Sequence, residues 1–141
     1  MGYRSTVAYT IRFTPVPDNN MDSPTEEAVK ECKASFYTFL AEAKVKHPSC
    51  FSEEFGVDVD EANMALNFIQ ENVKWYEDYE DVKEHTALQD LSKAWVDMEN
   101  KHIGGIFMRI GEEMDDLTEE GWGEHYWEWI SMSREIHVDW A

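Results

Sequence analysis

At 141 residues, with 43% hydrophobic and 13% aromatic side chains, the sequence has the make-up of one globular domain, 1–141, and not of a disordered acidic tail. No stretch approaches the ~18 consecutive apolar residues of a membrane span. The net charge of −18, from 30 acids against 12 bases, disfavours direct nucleic-acid binding, which needs clustered Lys and Arg.

The opening, "MGYRSTVAYT", lacks the basic, apolar and small-residue order of a signal peptide, so a cytoplasmic protein is expected. Gly2 and Thr6 formally touch a myristoylation pattern, but Tyr3, Arg4 and the strand-like continuation argue against it. From Tyr3 the sequence alternates. Val7, Tyr9, Ile11 and Phe13 fall on one side, Arg4, Thr6, Thr10 and Arg12 on the other, as in a half-buried strand. "SPTE" then predicts a helix start, with Ser23 as N-cap, Pro24 in the first turn and Glu26 completing a capping box. Val29, Cys32, Phe36, Phe39 or Leu40, and Ala43 form its apolar stripe. Pro48 ends the helix by biasing His47 away from helical geometry.

The next strand region is "NMALNFIQENVKWY". Met64, Leu66 and Phe68 share a face, whereas Val73 and Trp75 resume on the opposite parity, which predicts a bulge or a short hairpin near Gln70–Asn72. Asp81 and Glu84 suggest a second helix start, and Leu88, Leu91, Trp95 and Met98 repeat as a helix seam. "HIGGIFMRIG" reads as a strand whose Gly104 and Gly105 mark a bend or a close backbone approach. "WISMSREIHVDW" reads as a last strand with Ile130, Met132, Ile136 and Val138 facing the core. The order predicts an α+β fold: an antiparallel-rich sheet with two helices packed on one face, ferredoxin-like or a variant.

Chemistry finds little support along the chain. Asp58-Val59-Asp60 resembles the start of a calcium loop, but Asn63 replaces the turn glycine and Ile69 the bidentate glutamate. Glu99 and His102 make one ExxH pair where a di-metal helical site needs two. No metal or other cofactor is therefore expected. Ser131 and Ser133 lie near His137 on one predicted strand, which is no triad, and no nucleophile elbow or phosphate loop is present. Arg109 reads as a strand-end partner for an acid. His47, His85 and His125 read as surface or cap residues, and Cys32 and Cys50 as reduced thiols.

Charge is unevenly placed. Residues 1–50 hold six acids and six bases, so the whole imbalance lies in residues 51–141, with 24 acids against six bases. Two blocks concentrate it beside aromatic rings. The first offers Glu77, Asp78, Tyr79, Glu80 and Asp81. The second offers Glu112, Glu113, Asp115, Asp116, Glu119 and Glu120, followed by Trp122 and Tyr126. Helix capping explains two or three acids per block but not a run of eight, from 112 to 128, without a lysine or arginine. Closely spaced carboxylates present a field like a nucleic-acid backbone, and Trp and Tyr supply anchors. These 13 residues are the candidate partner-binding surface, and the expected partner is a basic, nucleic-acid-binding protein.

The blocks "MGYRSTVAY", "ENVKWYEDYEDV" and "IFMRIGEEMDDL" resemble, in the same order, a group of small acidic phage and mobile-element accessory proteins. Those share a GYRS opening, a KWY-x-Y-x-DV block and an RIGE-x-x-DD block. The resemblance implies an origin in a phage or plasmid, and a bacterial host cytoplasm, but no fold or reaction. Acidic proteins of this kind often inhibit host nucleic-acid machinery, CRISPR surveillance complexes included. The expectation is thus a non-enzymatic, anti-CRISPR-type inhibitor, with a CRISPR effector subunit as the most plausible partner. The alternatives are a small enzyme using a carboxylate pair and a phage assembly protein.

Overall fold

The computed structural model describes residues 4–15, 25–53, 56–76, 78–97, 102–111, 117–123, 130–132 and 136–138. Chain order is β1 (Ser5–Phe13), α1 (Glu26–Lys46), a 3-10 helix (Pro48–Phe51), β2 (Asp58–Asp60), β3 (Ala65–Val73) and α2 (Glu80–Asp97). β4 (Ile103–Ile110), β5 (Leu117–Gly123), β6 (Ile130–Met132) and β7 (Ile136–Val138) follow. Five strands form one antiparallel sheet in the order β2-β3-β1-β4-β5. Its first four strands repeat the ferredoxin-like order, made by two split βαβ units, and β5 is added outside β4. The fold is α+β, with both helices on one face.

β1 is central because both its faces are apolar enough to be covered. Val7, Tyr9, Ile11 and Phe13 meet the helices, and Ala8 and Thr10 on the opposite face are equally buried. Tyr9 stacks on Phe68 at 5.1 Å, and Phe13 packs on Phe36 at 5.9 Å and Phe39 at 5.6 Å. On the second face Ile106 and Met108 of β4 are buried too. β6, which pairs with β7, lies near β4.

α1 forms where the stripe predicts it, burying Cys32, Phe36, Phe39, Leu40 and Ala43, while Val29 at its first turn is 39% exposed. Its start differs. The N-cap is Thr25, whose Oγ1 accepts from the Ala28 N–H at 3.1 Å, so the N3 position is alanine and no capping box forms. Glu26 and Glu27 then lie in the first turn and Lys44 and Lys46 in the last, each on the favourable end of the macrodipole. His47 is the C-cap, and Pro48 opens the 3-10 helix as expected.

β3 carries the predicted irregularity. Ser5 pairs with Val73 and Val7 with Gln70, so β3 holds one residue more than β1 across this step. It is a bulge and not a hairpin; the hairpin partner of β3 is β2, unread in the sequence because three residues give no periodicity. The Asp58–Asp60 stretch that resembled a calcium loop is this edge strand. Asp60 instead closes the turn, accepting from Asn63 N at 3.2 Å and Asn63 Nδ2 at 2.8 Å, bonds that hold its carboxyl below the usual range.

In α2 the seam is rotated from its predicted position. Val82, His85, Leu88, Gln89 and Ser92 are buried, whereas Leu91 and Trp95 are half-buried on the flank facing α1. Trp95 meets Phe13 at 6.1 Å and Phe39 at 5.2 Å, and its Nε1 donates to Glu42 at 3.2 Å. Tyr79 stands at the cap, its carbonyl accepting from Lys83 N at 2.9 Å, so Asp81 is inside the first turn. His85, expected at the surface, is 1% exposed in the core. Met98 and Glu99 lie outside the described residues.

The C-terminal stretch expected as one strand is two, and Ser131 and His137 face each other across the pair as backbone partners. The acidic segment is a strand over 117–123, not a helix or a loop. Its pairing partner supplies what its own sequence lacks. Gly105 of β4 leaves room for the Trp122 ring, since a Cβ there would come within 2.5 Å of the indole. This is the close approach that the glycine pair signals.

Candidate functional site

The two acidic blocks begin from one end of the sheet. Val73 pairs with Ser5, Thr6 with Ile110, and Ile110 with Leu117, which places the end of β3, the start of β1, the end of β4 and the start of β5 in one row. β3 runs from that row into α2, whose first turn carries Glu80 and Asp81, with Asp78 and Tyr79 just before it. Asp78, Glu80 and Asp81 are exposed, and Tyr79 is 44% exposed with its ring edge-on to Tyr76 at 5.1 Å. Lys83 lies 3.7 Å from Glu80, an exposed i,i+3 pair of little energetic weight.

On β5 the strand period divides the acids. Glu120 pairs with Phe107, which lies opposite Tyr9 on the helix side, so Glu120 shares that face, whereas Glu119 pairs with Met108 on the other face. Both are exposed. Trp122 is 8% exposed, so the ring assigned to a partner is part of the core, with Lys93 Nζ 5.0 Å above it. Glu77, Glu112, Glu113, Asp115, Asp116, Tyr126, Glu124 and Glu128 lie outside the described residues.

Beside this end lies a groove that sequence reading missed, about 540 Å³ in volume. α2 supplies one wall through Val82, Thr86, Gln89 and Lys93, a single stripe at spacings of four, three and four. The sheet supplies the other through Phe107 and Arg109 of β4 and Thr118 and Glu120 of β5. Trp75 and Tyr76 complete it. Trp75 reaches this side because the β3 bulge restores it to the face of Phe68, 5.9 Å away, and it lies 6.1 Å from Phe107. Lys93 Nζ meets Glu120 Oε1 at 2.5 Å and Asp90 at 3.7 Å. Arg109 Nη1 donates to Ser5 Oγ at 3.0 Å. Ten residues spread from 75 to 120 share no motif, and only the placement of α2 beside the β4–β5 pair assembles them.

The remaining reactive groups are structural. Cys32 and Cys50 are free and buried, and burial, with Glu31 near the first and Glu84 and Asp81 near the second, pushes their thiols up to about 11 and about 12. His47 Nδ1 lies 2.8 Å from Glu84 Oε2, tying the end of α1 to the start of α2. His102 is buried with Nε2 3.6 Å from Glu31. Among the described residues no three His, Cys, Asp or Glu side chains gather as metal ligands would, and no helix is long and apolar enough to cross a membrane. No protein-family model, curated protein or solved structure matches this chain.

Proposed function

We propose that the protein is a non-enzymatic inhibitor that binds a basic, nucleic-acid-binding protein through the acidic end of its sheet. The observation that carries this reading is the convergence of the α2 start and the β4–β5 turn ends on one row of the sheet, in a chain whose charge imbalance lies wholly in residues 51–141. Exposed Asp78, Glu80 and Asp81, with Tyr79 beside them, would steer the protein onto a groove that otherwise holds RNA or DNA. The resemblance to acidic phage and mobile-element proteins supports a bacterial host partner, a CRISPR effector subunit foremost, met in the cytoplasm. Glu119 and Glu120 widen the negative field but do so on two faces of β5.

The test begins with a pull-down from host lysate at low salt, partners being identified by mass spectrometry. Binding kinetics of the captured partner are then compared at two ionic strengths for the parent and an Asp78→Asn, Glu80→Gln, Asp81→Asn variant. Association of the variant should be slower and its salt dependence flatter, with little change in the off-rate. Parent-like association at both ionic strengths would remove the acidic end from the binding surface.

A further inference from the structure

β5 is an outer strand whose far edge has no strand partner among the described residues. In an antiparallel strand every second residue turns its N–H and C=O away from the paired neighbour. An outer strand therefore offers a row of donors and acceptors to any further strand. Natural sheets blunt such an edge with short length, proline, a bulge or charge. β2, the opposite edge, is blunted by its length of three residues. β5 has seven residues without a proline, and its register with β4 runs from Leu117 to Gly123 without a shift. Leu117 is 44% exposed, and Thr118, Glu119 and Glu120 are exposed beside it. The one safeguard is the charge of Glu119 and Glu120, and charge of a single sign turns away only strands of that sign.

We infer that β5 accepts an extended, lysine- or arginine-bearing segment of the basic partner as a sixth strand of the sheet. The inference rests on the partner reading above and adds the mode of contact. A second copy of this chain is the alternative occupant, and charge argues against it. The fully overlapped antiparallel register sets Glu120 opposite its own copy, and a shift of one residue towards Leu117 sets Glu119 opposite Glu120. Like charges directly opposite destabilise a sheet, and each copy brings a net charge of −18. A basic strand turns the same acids into attractions. The strand period fixes what that strand carries. Leu117 and Glu119 pair with Ile110 and Met108 on the sheet face away from the helices, whereas Thr118 and Glu120 lie on the helix face. Glu120 is already bonded to Lys93, but Glu119 makes no ion pair among the described residues. Glu119 is therefore the selecting charge. The incoming strand places Lys or Arg opposite it and an apolar residue two positions along, opposite Leu117. Main-chain hydrogen bonds supply the affinity and these two side chains the choice of sequence.

The experiment titrates the intact protein with a capped peptide that alternates Thr with Val and Lys, so that Val and Lys lie two positions apart on one face. One control peptide carries proline at two central Thr positions and keeps the charge; the other carries Glu in place of Lys. Hydrogen exchange followed by nuclear magnetic resonance reads the β5 amides. In the free protein alternate amides between Leu117 and Gly123 should exchange quickly, and the Lys peptide should slow them. Both controls should bind roughly tenfold more weakly or less. Glu119→Lys should weaken the Lys peptide roughly fivefold, and Glu119→Gln by less, with the melting temperature unchanged because the side chain is exposed. The Asp78→Asn, Glu80→Gln, Asp81→Asn variant should still show the slowed β5 amides. Equal binding of the proline peptide would reduce the contact to charge alone and overturn strand addition, while the partner reading is decided separately by its pull-down. Outward amides already slow in the free protein would mean a covered edge, by a second copy if the protein sediments as a dimer, and would overturn it too. So would unchanged β5 exchange at millimolar peptide.

Discussion

The Tyr9 hydroxyl lies 2.5 Å from His85 Nδ1, joining β1 to α2 in the centre of the core across 76 residues of sequence. Burial, with Cys50 as a lesser cause, raises the Tyr9 phenol well above its ordinary range, so it stays protonated within this hydrogen bond. Phe68 and Trp75 enclose the imidazole at 4.4 and 6.1 Å. Tyr9→Phe keeps the ring packing and removes the hydroxyl that His85 Nδ1 bonds. Chemical denaturation should show a loss of ~1–3 kcal/mol. A loss below about half a kcal/mol would mean that the imidazole bonds equally well elsewhere.

Leu88 is fully buried and Leu91 only half-buried. Leu88→Ala should cost ~2–5 kcal/mol and Leu91→Ala about half as much, since it withdraws less area from the core. Denaturant midpoints in the reverse order would restore the seam at the position the leucine spacing suggests.

Gly105 and Trp122 should behave as a coupled pair. Gly105→Ala forces a methyl against the indole and should cost ~1–3 kcal/mol, while Trp122→Ala empties the site and should cost ~3–5 kcal/mol. The double variant should cost less than the sum, because the methyl then has space to occupy. Additive losses would separate the two residues. A Trp122 variant that fails to bind a partner therefore reports on folding before it reports on contact.

The thiols should be silent in the native protein. Cys32 and Cys50 are buried with pKa values pushed up to about 11 and about 12, so a thiol reagent at neutral pH should find neither until denaturant is added. The same shifts make stability depend on pH. Above the unfolded value of 9.0 the unfolded chain releases thiol protons that the folded chain keeps, so stability is full below 9 and declines as pH rises towards 11–12. Replacing both cysteines with Ala should remove that part of the decline in a denaturation series from pH 8 to 11.

Where periodicity was strong, the sequence was legible. Cys32, Phe36, Phe39 and Ala43 mark α1 because only one helical face can carry them, and the parity change between Phe68 and Trp75 marks the bulge. Local signals failed where a competing choice lay within two residues, as with Ser23 and Thr25 for the same cap. His85 was misread because a polar residue on a helix announces no partner; its place is set by Tyr9, far away in sequence. "LTEEGWG" has no alternation of its own, being exposed along most of an outer strand, and it is held by β4. Acid content located the charged end, but no local rule could show that alternate strand residues send Glu119 and Glu120 to opposite sides.

The bulge in β3 makes counting matter more than spelling. Between Gln70 and Val73 the strand spends one residue that has no counterpart on β1, and this single step of phase sets the side on which Trp75 emerges. Exchanging Glu71 for another hydrophilic residue preserves the phase, since its side chain is exposed. Removing one residue from the pair at 71 and 72 inverts it. The indole would then emerge away from Phe68 and Phe107, and the aromatic corner of the groove would be lost with the core residues still in place. Drift in sequence along this stretch is therefore tolerable to the protein in a way that drift in length is not.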